Sequence, residues 1–107
     1  MGDAPSRPYG RPMTTLHIEH AITDFATWSS AFGALAGVRR QLGVTGEAVR
    51  RPIDDPAFVV IDLDFATAEE AGAFLDFLRT EIWAVPENAP ALAGAPAARI
   101  LEAAVLS

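Results

Sequence analysis

The sequence predicts an α+β fold in which elements follow the order strand–helix–strand–strand–helix–strand. Three observations predict it. Residues 14–22 alternate apolar and polar side chains as a half-buried strand does. Two later stretches, each opened by a capping residue, Asp24 or Thr67, space their apolar residues as helices do. Two apolar runs also flank the turn-forming cluster Asp54-Asp55-Pro56. At 107 residues, the chain has room for one modest core.

The first strand, over 14–22, leads into a helix that Asp24 caps and Gly43 ends. Arg39 falls on the apolar stripe of this helix, where a long side chain either snorkels to water or points into a cleft. The other members of the stripe are Phe25, Trp28, Phe32, Leu35 and Leu42.

A hairpin follows, with strands over 44–53 and 57–65. Pairing across its turn places Arg50 near Val60 and within diagonal reach of Asp62. Asp62 and Asp64 share one face of the second of these strands, and two carboxylates cannot both stay buried and unpaired there. We therefore expect a salt bridge between Arg50 and Asp62.

The second helix begins at a Thr-x-x-Glu capping box, Thr67 to Glu70, and ends before Pro86. A Pro/Ala-rich loop then leads to a last strand over 97–106. The buried stripe of this helix is expected to consist of Ala71, Leu75, Leu78 and Ile82.

This order of elements is the ferredoxin-like βαββαβ arrangement, a four-stranded antiparallel sheet with both helices on one face. The last two strands are largely apolar on both faces, the two helices cover only one, and no further segment remains to cover the second. The sequence therefore predicts a homodimer that joins two sheets face to face. The domain is expected over 13–107, after a flexible Pro/Gly-rich arm over 1–12.

Composition excludes several classes of function. The net charge of −6, without a basic stripe, argues against a nucleic-acid partner. The chain has no cysteine, and all eight basic residues are arginine, so thiol and Schiff-base chemistry are excluded. No apolar run is long enough for a membrane span, and no signal peptide is evident, so a cytoplasmic protein is the default expectation.

The pattern resembles the dimeric α+β barrel superfamily, and in particular small bacterial proteins of the antibiotic-biosynthesis-monooxygenase and cyclase type. The similarity spans residues 14–105. It is carried by His20, by the segments Asp24-Phe25-Ala26-Thr27-Trp28, Arg39-Arg40-Gln41-Leu42-Gly43, Asp54-Asp55-Pro56 and Thr67-Ala68-Glu69-Glu70-Ala71, and by Phe32, Phe65 and Phe74.

The resemblance implies a dimer whose subunits each hold a ligand cavity between helices and sheet. Proteins of this type include cofactor-independent oxygenases of aromatic polyketides, polyketide cyclases, haem-degrading enzymes and proteins without known activity. This chain departs from the monooxygenase pattern of Asn, Trp and Arg, since Trp83 lies on the second helix without an Arg after it.

His17, Glu19 and His20 look like a metal motif until the alternation of strand side chains is considered. His17 and Glu19 share one face, which we assign to the dimer interface, and His20 takes the other. Two ligands on one face do not make a metal site, so we expect no metal and no bound cofactor.

His20 lies on the core face, either as a buried, hydrogen-bonded histidine or as a general acid or base at a pocket edge. Asp62 is either the salt-bridge partner of Arg50 or the residue that orients His20. Arg39 either snorkels or binds a substrate carboxylate or enolate. The aromatic residues Trp28, Phe32, Phe74 and Trp83 belong to the core or form a pocket wall.

Together these residues predict a cyclase or cofactor-independent monooxygenase-like enzyme that acts on a small apolar, aromatic or polyketide-like molecule. The alternative is a non-catalytic ligand-binding or assembly dimer with a cleft filled by side chains. A cavity of roughly 300 Å³ or more favours the enzyme. Haem binding is a third possibility, with His17 or His20 as the axial ligand.

Overall fold

A computed structural model describes residues 13–106, and the predicted arm over 1–12 lies outside this range. The four strands form one antiparallel sheet in the order β2-β3-β1-β4. This topology confirms the ferredoxin-like prediction. The elements are β1 (Thr14–Ile22), α1 (Phe25–Ala34), α2 (Ala36–Gln41), β2 (Gly46–Arg50), β3 (Phe58–Phe65), α3 (Ala68–Phe77) and β4 (Leu92–Glu102).

The core lies between one face of the sheet, here called the inner face, and the helices. β1 and β3 are buried at every second residue, as alternating strands with one covered face should be. Leu16, Val59 and Phe65 have no exposed surface, and α3 packs Ala71, Phe74 and Leu75 against them. Both helical segments therefore cover the same face, as predicted.

The first helix is divided rather than continuous to Gly43. α1 begins where Asp24 Oδ1 accepts a hydrogen bond from the Thr27 N–H at 3.1 Å, which confirms the cap. Leu35 then leaves helical geometry, and α2 begins at Ala36. The Phe32 carbonyl lies at this break, where it accepts a hydrogen bond from Arg39 Nη1 at 2.6 Å. No local pattern predicts this side-chain contact, because it depends on where Arg39 is buried.

The second half of the chain follows the predicted order with altered bounds. Thr67 caps α3, as its Oγ1 accepts from the Glu70 N–H at 3.1 Å. A single π-helical turn, Leu78–Ile82, then continues α3. β4 begins at Leu92, five residues before the predicted start, because a bulge lets an Ala/Pro-rich segment join the sheet. No helix within residues 13–106 is long and apolar enough to cross a membrane.

The second face of the sheet, here called the outer face, differs from the prediction. We expected it to be largely apolar, but β1 and β3 place polar side chains side by side across it. Thr15 Oγ1 donates to Asp64 Oδ1 at 2.7 Å, and His17 lies opposite Asp62. The expectation was wrong because it rested on the last two strands and gave too little weight to β1. Leu101, with 41% of its surface exposed, is an apolar residue that remains there.

Candidate functional site

A partly open cleft separates the helices from the inner face of the sheet. It holds about 80 Å³ and is walled almost entirely by apolar side chains. The structure brings six of the seven predicted site residues to this cleft: His20, Trp28, Phe32, Arg39, Phe74 and Trp83. Asp62 is the exception.

His20 is 5% exposed, and its ring faces the cleft. Its Nδ1 lies 2.9 Å from the carbonyl oxygen of Ala21. A carbonyl only accepts, so Nδ1 carries the proton and Nε2 remains as the acceptor nitrogen of the ring. Burial lowers the pKa of His20 below 6.5, although the bond to Ala21 opposes this, and the imidazole is therefore neutral at pH 7.

Three contacts hold Arg39 in place: an ion pair with Glu47, a hydrogen bond to the Phe32 carbonyl and a contact with the Phe32 ring. Its Nε and Nη2 donate to the two carboxylate oxygens of Glu47 at 2.8 and 3.2 Å, a bidentate pair from α2 to β2. Its guanidinium carbon lies 3.6 Å from the centre of the Phe32 ring, a cation–π contact. The snorkelling expected as one alternative is wrong, since the side chain is 6% exposed. Its other alternative, binding of a ligand anion, stays a prediction.

The aromatic residues of the cleft form two groups. On α1, the Trp28 and Phe32 rings stack with centroids 4.8 Å apart, and Phe25 lies 5.8 Å from Trp28. On α3, Phe74 packs against Phe65 at 5.6 Å. Trp28 and Phe74 belong to the buried core and also line the cleft, whereas Phe32 and Trp83 are partly buried and line it. The core and the cleft wall thus share residues.

Sequence reasoning named Trp83 but missed Asn88, a polar residue that also lines the cleft. The π-helical turn Leu78–Ile82 leads to Trp83, and a short 3₁₀ turn then brings Asn88 to the cleft. The Asn88 amide donates to the carbonyl of Glu81 at 2.7 Å, which leaves its side-chain oxygen as an acceptor. The Ala/Pro-rich segment has no periodicity that would have indicated this position. Trp83 and Asn88 thus line the same cleft as Arg39, which is distant from both in sequence.

The prediction that Asp62 orients His20 is wrong. Asp62 lies on the outer face, where its Oδ1 is 2.6 Å from His17 Nδ1 and its Oδ2 is 3.3 Å from Arg50. His20 on β1 and Asp62 on β3 point to opposite faces of the sheet, so their side chains cannot meet. The expected salt bridge from Arg50 to Asp62 is confirmed, and His17 is the histidine that Asp62 positions.

The second ring nitrogen of His17, Nε2, lies 2.8 Å from Glu19 Oε2. Hydrogen bonds to Glu19, which has the larger effect, and to Asp62 raise the pKa of His17 above 6.5, while burial acts in the opposite direction.

No group of three or more metal-ligating side chains is arranged around a common point within residues 13–106. The residues do not fit haem either: both His17 nitrogens are engaged, and about 80 Å³ beside His20 is far too small for a porphyrin.

Comparison with known proteins places the fold but not the activity. No family model and no curated protein matches the sequence. A putative antibiotic biosynthesis monooxygenase from Bordetella bronchiseptica is similar in structure, with a TM-score of 0.68 and 14% identity over 89% of this chain and 100% of that one. A protein of unknown function from Nitrosomonas europaea has a TM-score of 0.63 and 17% identity over 90% and 95% of the two chains.

A dimeric ferredoxin-like protein from an uncultured marine organism is also similar, with a TM-score of 0.60 and 9% identity over 91% of this chain and 100% of that one. These identities are too low to carry a function from one protein to another. What they show is that the chain has a ferredoxin-like α+β fold, with antibiotic-biosynthesis-monooxygenase-like proteins among its structural neighbours.

Proposed function

We propose that this protein binds a small apolar molecule in the cleft and that His20 acts on it as a general base. The observation that carries the proposal is the ring of His20, which is nearly buried and fixed through Nδ1 to the Ala21 carbonyl, so that Nε2 is left with a free lone pair. A base in this state is ready to accept a proton at Nε2 without first losing one. The surrounding walls are largely apolar and suit an apolar ligand.

The reaction class that follows is proton abstraction next to a carbonyl. Nε2 takes the proton, the C–H electron pair forms an enolate, and the enolate attacks a second carbonyl of the same molecule in a cyclisation. The imidazolium then returns its proton to the new alkoxide. The named neighbour from Bordetella supports the related alternative, oxygenation of a similar carbanion without a cofactor, with molecular oxygen as the oxidant.

The size of the cleft limits the ligand. About 80 Å³ is well below the roughly 300–1,000 Å³ of sites for drug-sized ligands. A polyketide of several rings requires the aromatic side chains at the mouth to move, whereas a compound with a single ring requires less. We therefore propose a compound with one ring as the first ligand to test.

The volume also favours a second candidate, a non-catalytic dimer whose cleft is filled by its own side chains. A cleft well below roughly 300 Å³ supports this alternative, while the placement of His20 supports the enzyme. A test of proton transfer by His20 therefore distinguishes the two candidates better than the cleft volume does.

The test is hydrogen–deuterium exchange at the acidic C–H of phenylacetone in D₂O, followed by NMR. The enzyme proposal expects the wild-type protein to accelerate the exchange and His20→Gln to lose the acceleration. The matched control is His17→Gln, which changes the other histidine on the opposite face and should retain the rate. Equal rates with wild type and His20→Gln contradict the proposed base.

We also propose that the outer face joins a second copy of this chain. It carries acidic Glu19, Asp62 and Asp64 and basic His17, Arg50 and Arg99, so two such faces complement each other about a twofold axis. The dimeric neighbour supports this arrangement.

Sedimentation velocity tests the dimer with a matched pair of variants. Leu101 and Leu42 are each 41% exposed, but Leu101 is on the outer face and Leu42 ends α2. We expect Leu101→Glu to produce monomers and Leu42→Glu to remain dimeric. A dimer that survives Leu101→Glu and dissociates with Leu42→Glu places the interface elsewhere.

A further inference from the structure

We propose that the cleft selects a neutral ligand with one O–H or N–H donor and rejects carboxylates, because Glu47 neutralises the arginine in its wall. This inference rests on the proposed ligand-binding function and adds the charge and polarity of the ligand. It also changes the role expected of Arg39, from an anchor for a substrate anion to a neutralised part of the wall.

The first step concerns the charge of the cleft. Arg39 is the cationic residue among those that line it, and the bidentate contact pairs its charge with Glu47 at 2.8 and 3.2 Å. Its Nη1 donates to the Phe32 carbonyl at 2.6 Å, and its face covers the Phe32 ring. A ligand carboxylate would have to share this guanidinium with Glu47, and two anions at one cation repel each other.

The second step concerns the polar group that a ligand meets. The Ala21 carbonyl fixes the proton of His20 on Nδ1, so His20 offers a lone pair at Nε2 and no donor to a ligand. Burial lowers the pKa of His20, which keeps the ring in this neutral state at pH 7. Asn88 uses one N–H of its amide on the Glu81 carbonyl, so its second N–H and its side-chain oxygen leave it both a donor and an acceptor. The preference therefore depends on His20, whose Nε2 offers no donor to an anion but accepts from an O–H or N–H group.

The third step is the apolar remainder of the wall. An ionised ligand loses its hydration on entering such a site, and this loss is compensated only by a free counter-charge or by donors. Arg39 is already paired and His20 presents a lone pair, so neither provides that compensation in full. A neutral donor loses less hydration and gains one hydrogen bond.

Three probes of similar size separate the effects of apolar contact, hydrogen bonding and charge: toluene, phenol and benzoate. Binding is followed at pH 7.5 by NMR chemical-shift titration of the Trp28 and Trp83 indole N–H groups, both of which belong to cleft residues. We expect phenol to bind about fivefold more tightly than toluene, the effect of about one net hydrogen bond. Benzoate should bind at least tenfold more weakly than phenol.

Two variants assign these preferences to residues. Glu47→Gln keeps an acceptor beside Arg39 but removes the negative charge, so benzoate affinity should rise at least tenfold while toluene affinity stays unchanged. His20→Leu removes the Nε2 acceptor, so most of the preference for phenol over toluene should be lost.

The outcomes separate this inference from the function on which it rests. Benzoate binding to the wild-type protein as tightly as phenol overturns the inference, and so does benzoate affinity that is unaffected by Glu47→Gln. The wild-type ranking decides the matter even if a variant fails to fold. If none of the three probes shifts either tryptophan, the proposed ligand-binding function itself fails.

Discussion

His17 on β1 and Asp62 on β3 face each other across the outer side of the sheet, with Nδ1 and Oδ1 2.6 Å apart. Glu19 contacts the opposite nitrogen of the same ring at 2.8 Å. The imidazole therefore bridges two carboxylates, an arrangement that holds a proton well. Its counterpart, His20, lies on the inner face against a carbonyl. Two positions on β1, three residues apart and on opposite faces of the sheet, thus present histidines with opposite acid–base behaviour.

The pKa of His17 is raised in the folded protein by Glu19 and Asp62, above the 6.5 of an unperturbed histidine. The stabilisation from protonated His17 is therefore fully present below pH 6.5 and is lost as the pH rises through the folded pKa. We expect the difference in the free energy of unfolding between wild type and His17→Gln to shrink from pH 6 to pH 9. Urea unfolding at both pH values measures it, and a constant difference contradicts the bridging role.

His20 is expected to behave in the opposite way, because burial lowers its folded pKa. Protonation is then more favourable in the unfolded chain, so stability falls as the pH drops below 6.5 towards the folded pKa. His20→Leu should remove this part of the acid dependence while leaving that of His17. Titration of the His20 ring C–H resonances by NMR provides a direct check, and a midpoint at or above 6.5 would show that the ring is not desolvated.

Removing Glu47 should lower the free energy of unfolding more than removing Arg39. Glu47→Ala leaves a buried guanidinium without its carboxylate, whereas Arg39→Met leaves a carboxylate that is 40% exposed and can be hydrated. We expect Glu47→Ala to cost about 2 kcal/mol, less than a fully buried pair because water reaches Glu47, and Arg39→Met to cost about 1 kcal/mol. The double variant should cost less than the sum of the two. Chemical unfolding of all four proteins completes the cycle, and strict additivity would exclude coupling.

Two glycines form a matched pair for backbone effects. Gly43 has φ +107°, and a Cβ there would lie 3.2 Å from the Glu70 carboxylate, whereas a Cβ on Gly33 would meet nothing within 4 Å. Gly43→Ala should therefore destabilise by about 1–2 kcal/mol. Gly33→Ala, within α1, should stabilise by about 0.5–1 kcal/mol. Thermal unfolding separates the two, and a shift of the same sign in both would contradict the assignment.

Local signals predicted most of the fold. The caps at Asp24 and Thr67 and the pairing of Arg50 with Val60 depend on residues that are close in sequence or opposed across one turn. Alternation along β1 also placed His17 and His20 on the faces where they are found.

What the sequence did not predict depends on contacts between distant segments. The pairing of Arg39 with Glu47, the proximity of Asn88 to the cleft and the extra length of β4 each require the helices and the sheet to be in place first. The misassignment of Asp62 had a different cause. It followed the chemistry of a His–Asp pair and did not apply to β3 the alternation already used on β1.

β4 changes register where it passes His20. Glu19 pairs with Ala97 and Ala21 with Ala93, so the residues between them on β4 form a bulge that contains Gly94 at φ +90°. His20 has a partner on β3, Val59, but the ladder to β4 skips it. Ala91 and Leu92, which come just before this bulge, line the cleft. A residue added to or removed from the bulge would therefore be absorbed next to this part of the cleft wall, while Ala97–Glu102 kept its pairing with β1. The bulge is thus a position where a change of chain length can reshape the cleft without shifting the register of the rest of the sheet.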